Sequence, residues 1–503
     1  MRRYYSSSDI RESDLIASNI LGAPGVVLME NAGLRASDAI ISRYGAAKNF
    51  LVLCGPGNNG GDGFVVARHL DLNGRAVTVI ATQLVSEYKN DAAIAAVSAE
   101  KAEIPIKCSR DLEDYDIASY ISEADVVIDA MLGTGSSGKP RGEVSRLITL
   151  CSNAAHLAAL DIPSGVEPDT GEVPDAAVNA EMTVTFLAEK PGLAIAPGAY
   201  HSGVSTVASI GVRQNLVLAR DPLLTGYDRS DIPAIAPVVR PDIHKGSRGA
   251  LLIVGGSANF RGAPVLTALS ALRAGCGLVF LAIPEMLVES ASALAPEAIF
   301  IPLPQRNGSI RCKTFERAIS PWLDRCDALV VGPGLSRSTD ALSIANYLYR
   351  EWNKPILLDA DALRVRYEAR RENAIITPHA GEAAFILGVQ PDEIERRRMA
   401  SCDSLVERFG TVLLKGPHTL IADFKERRVI LEGGPELAVP GSGDVLSGII
   451  GANLAAGVSL IDAATLGVLT HAVSGGKIAS SRGPNGVLAR EIADCAGSGY
   501  TGG

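Results

Sequence analysis

The sequence has no long apolar run, no paired-cysteine motif and no excess of basic residues. It contains no stretch of about 18 consecutive apolar residues, so a membrane-spanning helix is not expected. The Met1–Asp9 segment has no apolar core of the kind that signal peptides carry. The eight cysteines are scattered without a C-x-x-C pair, which argues against a zinc site and predicts buried free thiols in a reducing cytoplasm.

The charge balance is acidic, with 56 Asp and Glu against 47 Lys and Arg and a net charge of -9. This argues against a nucleic-acid-binding surface, which requires a basic stripe. Aromatic residues are few, at 5%, whereas the 503 residues include 51 glycines. Because the chain exceeds the length at which one core keeps growing, two or more domains are expected, with many tight turns.

Apolar strand-like runs alternate with helical stretches throughout, which predicts an α/β fold with parallel sheets covered on both faces. Between the two series of runs, prolines punctuate residues 214–248 and predict a linker. The two series share no sequence period and indicate two different domains. The runs are 50–54, 76–81, 124–128, 156–160, 182–186 and 204–207, then 250–254, 278–281, 328–331, 355–359, 374–376 and 411–414, with a hairpin at 419–422 and 428–431.

The glycine-rich segment Gly55–Gly63 is the most informative part of the first half. It follows an apolar strand and precedes a helical stretch, and Gly55, Gly57 and Gly60 spell the G-x-G-x-x-G dinucleotide fingerprint. That fingerprint also requires an acidic residue at the tip of the next strand, but residues 81–83 read Ala-Thr-Gln. The segment therefore predicts a nucleotide-like ligand that is bound differently from a dehydrogenase coenzyme.

Polar groups follow further strands of the first half. Asp129 and Asp161 come directly after apolar runs, and Ser164 and Asn59 supply neutral oxygens. This set is suited to a hard monovalent cation, although both aspartates could simply cap turns. The segment Gly133–Lys139 is rich in glycine and hydroxyl groups and could hold phosphate, but its spacing is not that of a Walker A motif, and a flexible surface loop is the alternative.

The motifs GNNGGDG, DAMLGTGSSGK and DIPSG together resemble the NAD(P)H-hydrate epimerase domain over residues 1–213. The resemblance implies a Rossmann-like three-layer fold and a potassium ion held by Asn59, Asp129 and Ser164. Asp161 would face the reacting ring, and we take it as the candidate acid/base for epimerisation. The residues implied to contact the hydrated dinucleotide are Asn58, Asn59, Gly60, Gly61, Asp62, Gly133, Thr134, Gly135, Ser136, Ser137, Gly138, Lys139 and Asp161.

The strongest signal in the second half is Gly441-Ser442-Gly443-Asp444 before a helical stretch. Amide groups at a helix N-terminus form an anion site, and an adjacent aspartate can take a proton from a hydroxyl that is being phosphorylated. An ordinary helix start with an acidic first turn is the alternative. Lys415–Thr419 follows another apolar strand and offers a lysine and a hydroxyl to nucleotide phosphates.

The second half resembles the ribokinase-like ADP- or ATP-dependent NAD(P)H-hydrate dehydratase over residues 226–503, with matching motifs from His244 onwards. Mg²⁺ is implied as well, because phosphoryl transfer needs charge neutralisation. Two motifs depart from the family pattern: Ala380 stands where proline is usual, and VPGSGD replaces TGGTGD. The resemblance implies that the hydrate is contacted by Ala263, Gly334, His379 and Asp444, and the adenine nucleotide by Lys415, Gly416, Pro417, His418, Thr419 and Gly443.

The two resemblances together predict a bifunctional repair enzyme. One half would equilibrate the R and S epimers of NAD(P)H hydrate, and the other would dehydrate the S epimer at the expense of ADP or ATP, with ADP favoured because the domains are fused. A cytoplasmic homo-oligomer, a tetramer or octamer, is expected, without nucleic-acid or membrane partners. Two alternatives stay open: a ribokinase-type small-molecule kinase with a ligand-sensing first half, and a non-enzymatic nucleotide-binding scaffold.

Overall fold

The computed structural model describes residues 1–238, 241 and 245–500. The chain divides into two compact units, Arg3–Leu224 and Thr225–Gly503, and Met1–Arg2 belong to the second unit. His244, at which the dehydratase motifs begin, lies outside the described residues. No described helix is both long enough and apolar enough to cross a bilayer, and all eight cysteines are unpaired thiols.

The N-terminal unit has a seven-stranded parallel sheet in the order β4-β3-β2-β5-β6-β7-β8. Counted from β2, this is the 3-2-1-4-5-6 strand order of Rossmann folds with one strand added. The strands up to residue 208 are β1 (Arg2–Tyr4), β2 (Asn49–Cys54), β3 (Ala76–Ala81), β4 (Ile106–Cys108), β5 (Val126–Ala130), β6 (Leu157–Leu160), β7 (Met182–Phe186) and β8 (Val204–Ala208). The helices are α1 (Ser7–Asn19), α2 (Gly25–Arg43), α3 (Asn58–Leu72), α4 (Asn90–Lys101), α5 (Asp114–Glu123), α6 (Gly142–Leu150), α7 (Ala199–Ser202) and α8 (Gln214–Val217).

Strand β2 shows why this sheet is covered on both faces. Its alternate residues Phe50, Val52 and Cys54 enter the core beneath α2, α3 and α4, whereas Leu51 and Leu53 enter a separate core with α5 and α6. Successive side chains of a strand point to opposite faces, so an uninterrupted apolar run requires two apolar layers. The chain order reverses between β2 and β5, and ligands of such sheets bind outside the carboxyl ends of the strands at that point.

In the C-terminal unit, ten strands of the main sheet follow one another in the order β9-β20-β19-β18-β17-β16-β15-β10-β11-β12. Pairing is parallel except along β18-β19-β20. The strands are β9 (Leu224–Tyr227), β10 (Ala250–Val254), β11 (Leu278–Pro284), β12 (Ile299–Leu303), β13 (Gln305–Arg306), β14 (Ser309–Ile310), β15 (Ala328–Val331), β16 (Ile356–Leu358), β17 (Ala374–Ile376), β18 (Thr411–Leu414), β19 (Leu420–Ala422) and β20 (Arg427–Ile430).

Helices α10, α17 and α18 of this unit contribute to the apolar core on one face of its sheet, together with α11. α16 packs on β18 and β19 and α12 on β12. The helices are α9 (Ile232–Ile235), α10 (Ala263–Arg273), α11 (Val288–Leu294), α12 (Cys312–Leu323), α13 (Thr339–Glu351), α14 (Ala380–Leu387), α15 (Pro391–Arg396), α16 (Arg398–Phe409), α17 (Ser442–Ala455), α18 (Leu460–Arg482) and α19 (Ala489–Gly499).

The α/β class is confirmed in both units, and each predicted strand is present, including the antiparallel hairpin β19-β20. The linker prediction for 214–248 is wrong in part, because this stretch contains α8, β9 and α9. Strand β9 is too short to show a hydrophobic period in the sequence, and parallel pairing with β20 fixes its position in the sheet. Strands β4 and β12 were also missed; both lie at edges of their sheets, where a strand needs less continuous apolar sequence.

Candidate active sites in the two units

The segment Gly55–Gly63 is a loop only at its start, because α3 already begins at Asn58. The expectation that a helix begins after the glycine-rich run is therefore wrong, and Asn58–Asp62 form the first turns of the helix. A Cβ atom at Gly60 would lie 2.0 Å from the carbonyl oxygen of Gly55, and one at Gly55 would lie 1.8 Å from that of Met131. The glycines are therefore required so that the helix start can approach the ends of β2 and β5.

Asn59 connects this helix start to two strands. Its Nδ2 donates to the carbonyl oxygens of Leu132, at 2.8 Å, and Leu160, at 3.1 Å. Its Oδ1 is buried and has no hydrogen-bond partner among the described residues. Because an unpaired buried carbonyl is unfavourable, this oxygen is a candidate ligand atom.

Asp129 and Ser164 are hydrogen-bonded to each other, and Leu132 is hydrogen-bonded to both Ser164 and Asn59. Asp129 is the fourth residue of β5 rather than the residue after the strand, and it is fully buried. Its carboxylate accepts hydrogen bonds from the Ser164 amide at 2.8 Å, the Ser164 hydroxyl at 2.7 Å and the Met131 amide at 3.1 Å. The hydrogen bond from the Met131 amide is the contact expected if Asp129 caps the turn that follows β5, which is the alternative to a cation ligand. Burial raises the pKa of Asp129 to about 6, although these bonds from neutral groups oppose the rise.

Asp161 follows β6 in the left-handed backbone region, with φ 66°. One carboxylate oxygen accepts from the Nζ of Lys190, and the other accepts from the amide of Thr134 at 3.1 Å. Lys190 is completely buried. Burial by itself raises the pKa of Asp161, but the charge and hydrogen bond of Lys190 outweigh it, so the net shift is downward. Asp161 is thus a buried, ionised carboxylate.

The amide of Thr134 brings the start of the Gly133–Lys139 loop to this site. A Cβ atom at Gly133 would lie 3.2 Å from both the Asn59 Cβ and the Asp161 Oδ2, so the loop start lies against these two side chains. Ser136 folds back, with its amide and hydroxyl both donating to the Gly133 carbonyl. Gly135, Ser137, Gly138 and Lys139 are exposed, and the Gly138 amide donates to Glu167.

Two further carboxyl groups belong to this site. Asp62, on α3, is 9% exposed. Burial, and next the charges of Asp161 and Asp14, raise the pKa of Asp62 well above its ordinary value, and Lys190 opposes the rise. Sequence reasoning missed Lys190 and Asp14. Lys190 stands four residues after β7, a strand-end signal that was available, whereas Asp14 lies in a polar stretch of α1 that carries no such signal.

The C-terminal unit has a second buried ion pair, at the ends of β16 and β18. Asp359 accepts hydrogen bonds from the Nζ of Lys415 at 2.9 Å, the hydroxyl of Thr377 at 2.8 Å and the hydroxyl of Ser447 at 2.8 Å. The Nζ of Lys415 also lies 3.8 Å from Glu382. This network links the ends of β16 and β18 to helix α17. It places the positive charge of Lys415 at the same edge of the sheet.

Asp444 lies in the first turn of α17, as the GSGD motif predicts, and Gly441 before it has φ 86°. Burial, and next the charge of Asp359, raise the pKa of Asp444 to about 7, although Lys415 opposes the rise. The preceding turn is fixed by a 3.0 Å hydrogen bond between the Ser442 hydroxyl and the Nε2 of the buried His471. A carboxyl group that titrates near neutrality is suited to act as a general base.

Among the other predicted residues, two pairs lie side by side. A Cβ atom at Gly443 would lie 3.5 Å from the Nζ of Lys415, and one at Gly334 would lie 3.2 Å from the Cβ of Ala263. The two residues of each pair are therefore neighbours. His379 caps α14, with its Nδ1 accepting from the Gly381 amide at 3.0 Å.

The segment Lys415–Thr419 forms a tight turn next to a buried guanidinium group. The hydroxyl of Thr419 donates to the Gly416 carbonyl at 2.8 Å, and His418 has φ 51°. A Cβ atom at Gly416 would lie 2.8 Å from the guanidinium of Arg398, which is fully buried. Pro417 completes the turn and is exposed.

These sites define an α/β enzyme with two separate carboxylate-and-lysine sites in one chain. The family model described as YjeF-related protein N-terminus matches residues 25–192, and the model described as NAD(P)H-hydrate dehydratase matches residues 251–496. A bifunctional NAD(P)H-hydrate repair enzyme from Thermanaerovibrio acidaminovorans is 38% identical over 97% of this chain and 96% of its own length. The enzyme of that name from Escherichia coli is 34% identical, covering 97% and 92%. The chain belongs to the family of bifunctional NAD(P)H-hydrate repair enzymes.

Among solved structures, an ADP/ATP-dependent NAD(P)H-hydrate dehydratase from Bacillus subtilis, co-crystallised with ATP and Mg²⁺, is 24% identical. It covers 55% of this chain and 98% of its own, with a TM-score of 0.47.

Proposed function

We propose that this chain repairs hydrated NAD(P)H through two activities, epimerisation of the R and S hydrates and nucleotide-driven dehydration of the S epimer. The observation that carries the proposal is that one chain of this family holds both Asp161, paired with the buried Lys190 at the end of β6, and Asp444 in the first turn of α17. We assign the epimerase to residues 1–213 and the dehydratase to residues 226–503.

In the epimerase site, the helix start Asn58–Asp62 and the loop Gly133–Lys139 would hold the hydrated dinucleotide. Asp161 would act as the acid/base group, because its Oδ2, which accepts from the Thr134 amide, adjoins Gly133 at the start of that loop. We expect Asp161→Asn to abolish interconversion of the R and S hydrates and to leave dehydration of purified S hydrate unchanged. An Asp161→Asn variant that still epimerises at the wild-type rate would show that this role is wrong.

The residues around Asn59 fit a potassium ion. The Asn59 Oδ1 is buried without a partner, and the Asp129 carboxylate is buried with only neutral hydrogen-bond donors. Neutral oxygens with a single carboxylate favour a monovalent cation over Mg²⁺. Asn59, Asp129 and Ser164 would hold this ion, which would supply positive charge beside the bound dinucleotide.

In the dehydratase site, Ala263, Gly334, His379 and Asp444 would contact the hydrate, and Lys415–Thr419 with Gly443 would contact the nucleotide. Asp444 takes the proton of the ring hydroxyl while that oxygen attacks the terminal phosphoryl group of ADP or ATP. The carbon–oxygen bond of the phosphate ester then breaks, and inorganic phosphate leaves with the electron pair. The neighbouring ring carbon releases a proton to solvent, which restores the nicotinamide double bond, and AMP or ADP remains as the nucleotide product. Asp444 has the pKa that this proton transfer needs near neutral pH.

The phosphoryl transfer would also use Mg²⁺ to neutralise charge on the nucleotide. No group of three Asp, Glu, His or Cys side chains forms a ready metal site within residues 1–238, 241 and 245–500. We therefore place Mg²⁺ chiefly on the phosphate oxygens, as is usual for this ion. The positive charge supplied by the protein would come from Lys415.

Loss of the dehydratase in Asp444→Ala tests this assignment directly. This variant should fail to restore NADH absorbance from S hydrate with ADP, and should epimerise normally. Turnover that survives in the variant would show that another group is the base. Accumulation of a stable phosphorylated product in the wild type would instead favour the small-molecule kinase alternative. We expect ADP to be preferred, and a cytoplasmic homo-oligomer remains a prediction.

A further inference from the structure

Helix α3 carries a carboxyl group that the assignments above leave without chemistry. Asp62 is 9% exposed, and within the described part of the chain no group hydrogen-bonds to its carboxyl. It lies one helical turn after Asn59, whose amide reaches the carbonyl of Leu160, the residue before Asp161. Residues three apart share a helix face, so Asp62 faces the same crevice. The Asp62 oxygens are not among the fully buried atoms that lack a partner, so they keep contact with solvent and are open to a ligand in the crevice.

Asp62 and Asp161 lie in opposite environments within this crevice. Asp161 has the Lys190 ion pair and the Thr134 amide, whereas Asp62 has neither. The titratable groups that act on Asp62 are Asp161 after β6, Asp14 on α1, Lys190 after β7 and the buried Cys54 thiol of β2. Two carboxyls whose surroundings favour opposite protonation states are the usual arrangement of an acid and a base.

We propose that Asp62 is the proton donor and Asp161 the proton acceptor in epimerisation, and that Lys190 is the residue that positions the Asp161 carboxylate. The proposal rests on the epimerase function assigned to this unit. The three N–H groups of Lys190 are all used, by Asp161, by the hydroxyl of Thr185 at 2.8 Å and by the carbonyl of Phe186 at 2.9 Å. Lys190 therefore acts through Asp161 rather than on the substrate.

Epimerisation would proceed by loss and re-addition of water at the hydroxylated ring carbon. Asp62 donates its proton to the ring hydroxyl, and the carbon–oxygen bond breaks with its electron pair leaving on water. The lone pair of the adjacent ring nitrogen forms a double bond to that carbon, which becomes planar. Water then adds to the opposite face, and Asp161 takes one of its protons. Proton exchange with solvent then protonates Asp62 and deprotonates Asp161. In the reverse reaction Asp161 is the donor and Asp62 the acceptor.

The decisive assay is the initial rate at which purified R hydrate becomes S hydrate without nucleotide, so that the dehydratase is idle. Asp62→Asn should lower this rate by about 10²–10⁴-fold, the usual contribution of a general acid. Asparagine has the shape of the protonated carboxyl, so the fold should be retained. Asp71→Asn, an exposed aspartate at the end of the same helix, is the matched control and should epimerise normally. Asp62→Glu should retain part of the rate.

The pH profile separates these roles from a purely structural effect. In the wild type, kcat/KM should rise as Asp161 ionises and fall at alkaline pH as Asp62 loses its proton. Asp62→Asn should lack the alkaline fall. Lys190→Met should move the acid limb to higher pH, since burial raises the pKa of Asp161 once the lysine charge is gone.

The outcomes distinguish this proposal from the function on which it rests. If Asp62→Asn epimerises like the wild type while Asp161→Asn is inactive, the donor role of Asp62 is wrong and the epimerase assignment stands. An unchanged acid limb in Lys190→Met would overturn the positioning role. A wild-type chain that does not epimerise would overturn both the proposal and the assigned function.

Discussion

Replacing Asp444 with asparagine should stabilise the C-terminal unit, and the gain should depend on pH. The pKa of Asp444 is raised in the folded chain from 3.8 to about 7, first by burial and then by Asp359. The folded state therefore holds this proton more tightly than the unfolded chain does. As pH rises from about 4 to about 7, the wild type loses stability that the asparagine variant keeps.

The size of this effect follows from the shift. About three pKa units at about 1.4 kcal/mol each give a ceiling of about 4 kcal/mol, and partial solvent access to the side chain lowers the expected value to about 2–4 kcal/mol. The difference between variant and wild type should be small near pH 4 and should level off above about pH 7. Asp392→Asn, at an exposed residue of α15, is the control variant.

Tryptophan fluorescence isolates this unit, because the only two tryptophans of the chain are Trp322 and Trp352. Denaturant unfolding of the wild type, Asp444→Asn and Asp392→Asn at about pH 5 and about pH 8 gives the three differences in unfolding free energy. If the difference in unfolding free energy between Asp444→Asn and the wild type were the same at both pH values, Asp444 would not have the pKa near 7 that a general base at this site requires.

Further predictions concern the glycines, the lysine and the cation. Gly60→Ala should destabilise the N-terminal unit by more than about 2 kcal/mol, since its Cβ would meet the Gly55 carbonyl. Gly57→Ala, which has open space around its Cβ, should be nearly neutral. Thermal melting followed by circular dichroism measures both variants. Lys415→Met should raise KM for ADP about 10–100-fold by losing a charged phosphate contact, with exposed Lys425→Met as control. Potassium should raise the melting temperature more than sodium at equal ionic strength, and Asn59→Ala should remove that difference; an equal response to both ions would count against the site.

The sequence predicts the strands and the side chains at their carboxyl ends, because both depend on local pattern. Asp161 was predicted after β6, and Asp444 in the first turn of a helix, from an apolar run followed by a polar or glycine-rich turn. Buried parallel strands read as continuous apolar runs, so their ends are visible without a structure. The parts of each site that lie at strand ends could therefore be predicted from the sequence.

Ion pairs between residues that are far apart in the sequence could not be predicted in this way. Lys190 and Asp161 are 29 residues apart and meet only because β6 and β7 are neighbours in the sheet. The ion pair of Asp359 with Lys415 spans 56 residues and forms because β16 and β18 flank β17 in the sheet. The start of α3 at Asn58 was missed because glycines disfavour a helix by propensity, and close approach to β2 and β5 overrides that propensity here.

The most direct test of the account is to incubate the chain with a mixture of R and S NADH hydrates and ADP, and to follow recovery of NADH absorbance. The wild type should convert both epimers completely, Asp161→Asn should stop once the S epimer is consumed, and Asp444→Ala should convert neither. Recovery that ends at the S fraction in the wild type, or no recovery at all, would contradict a chain with two working sites.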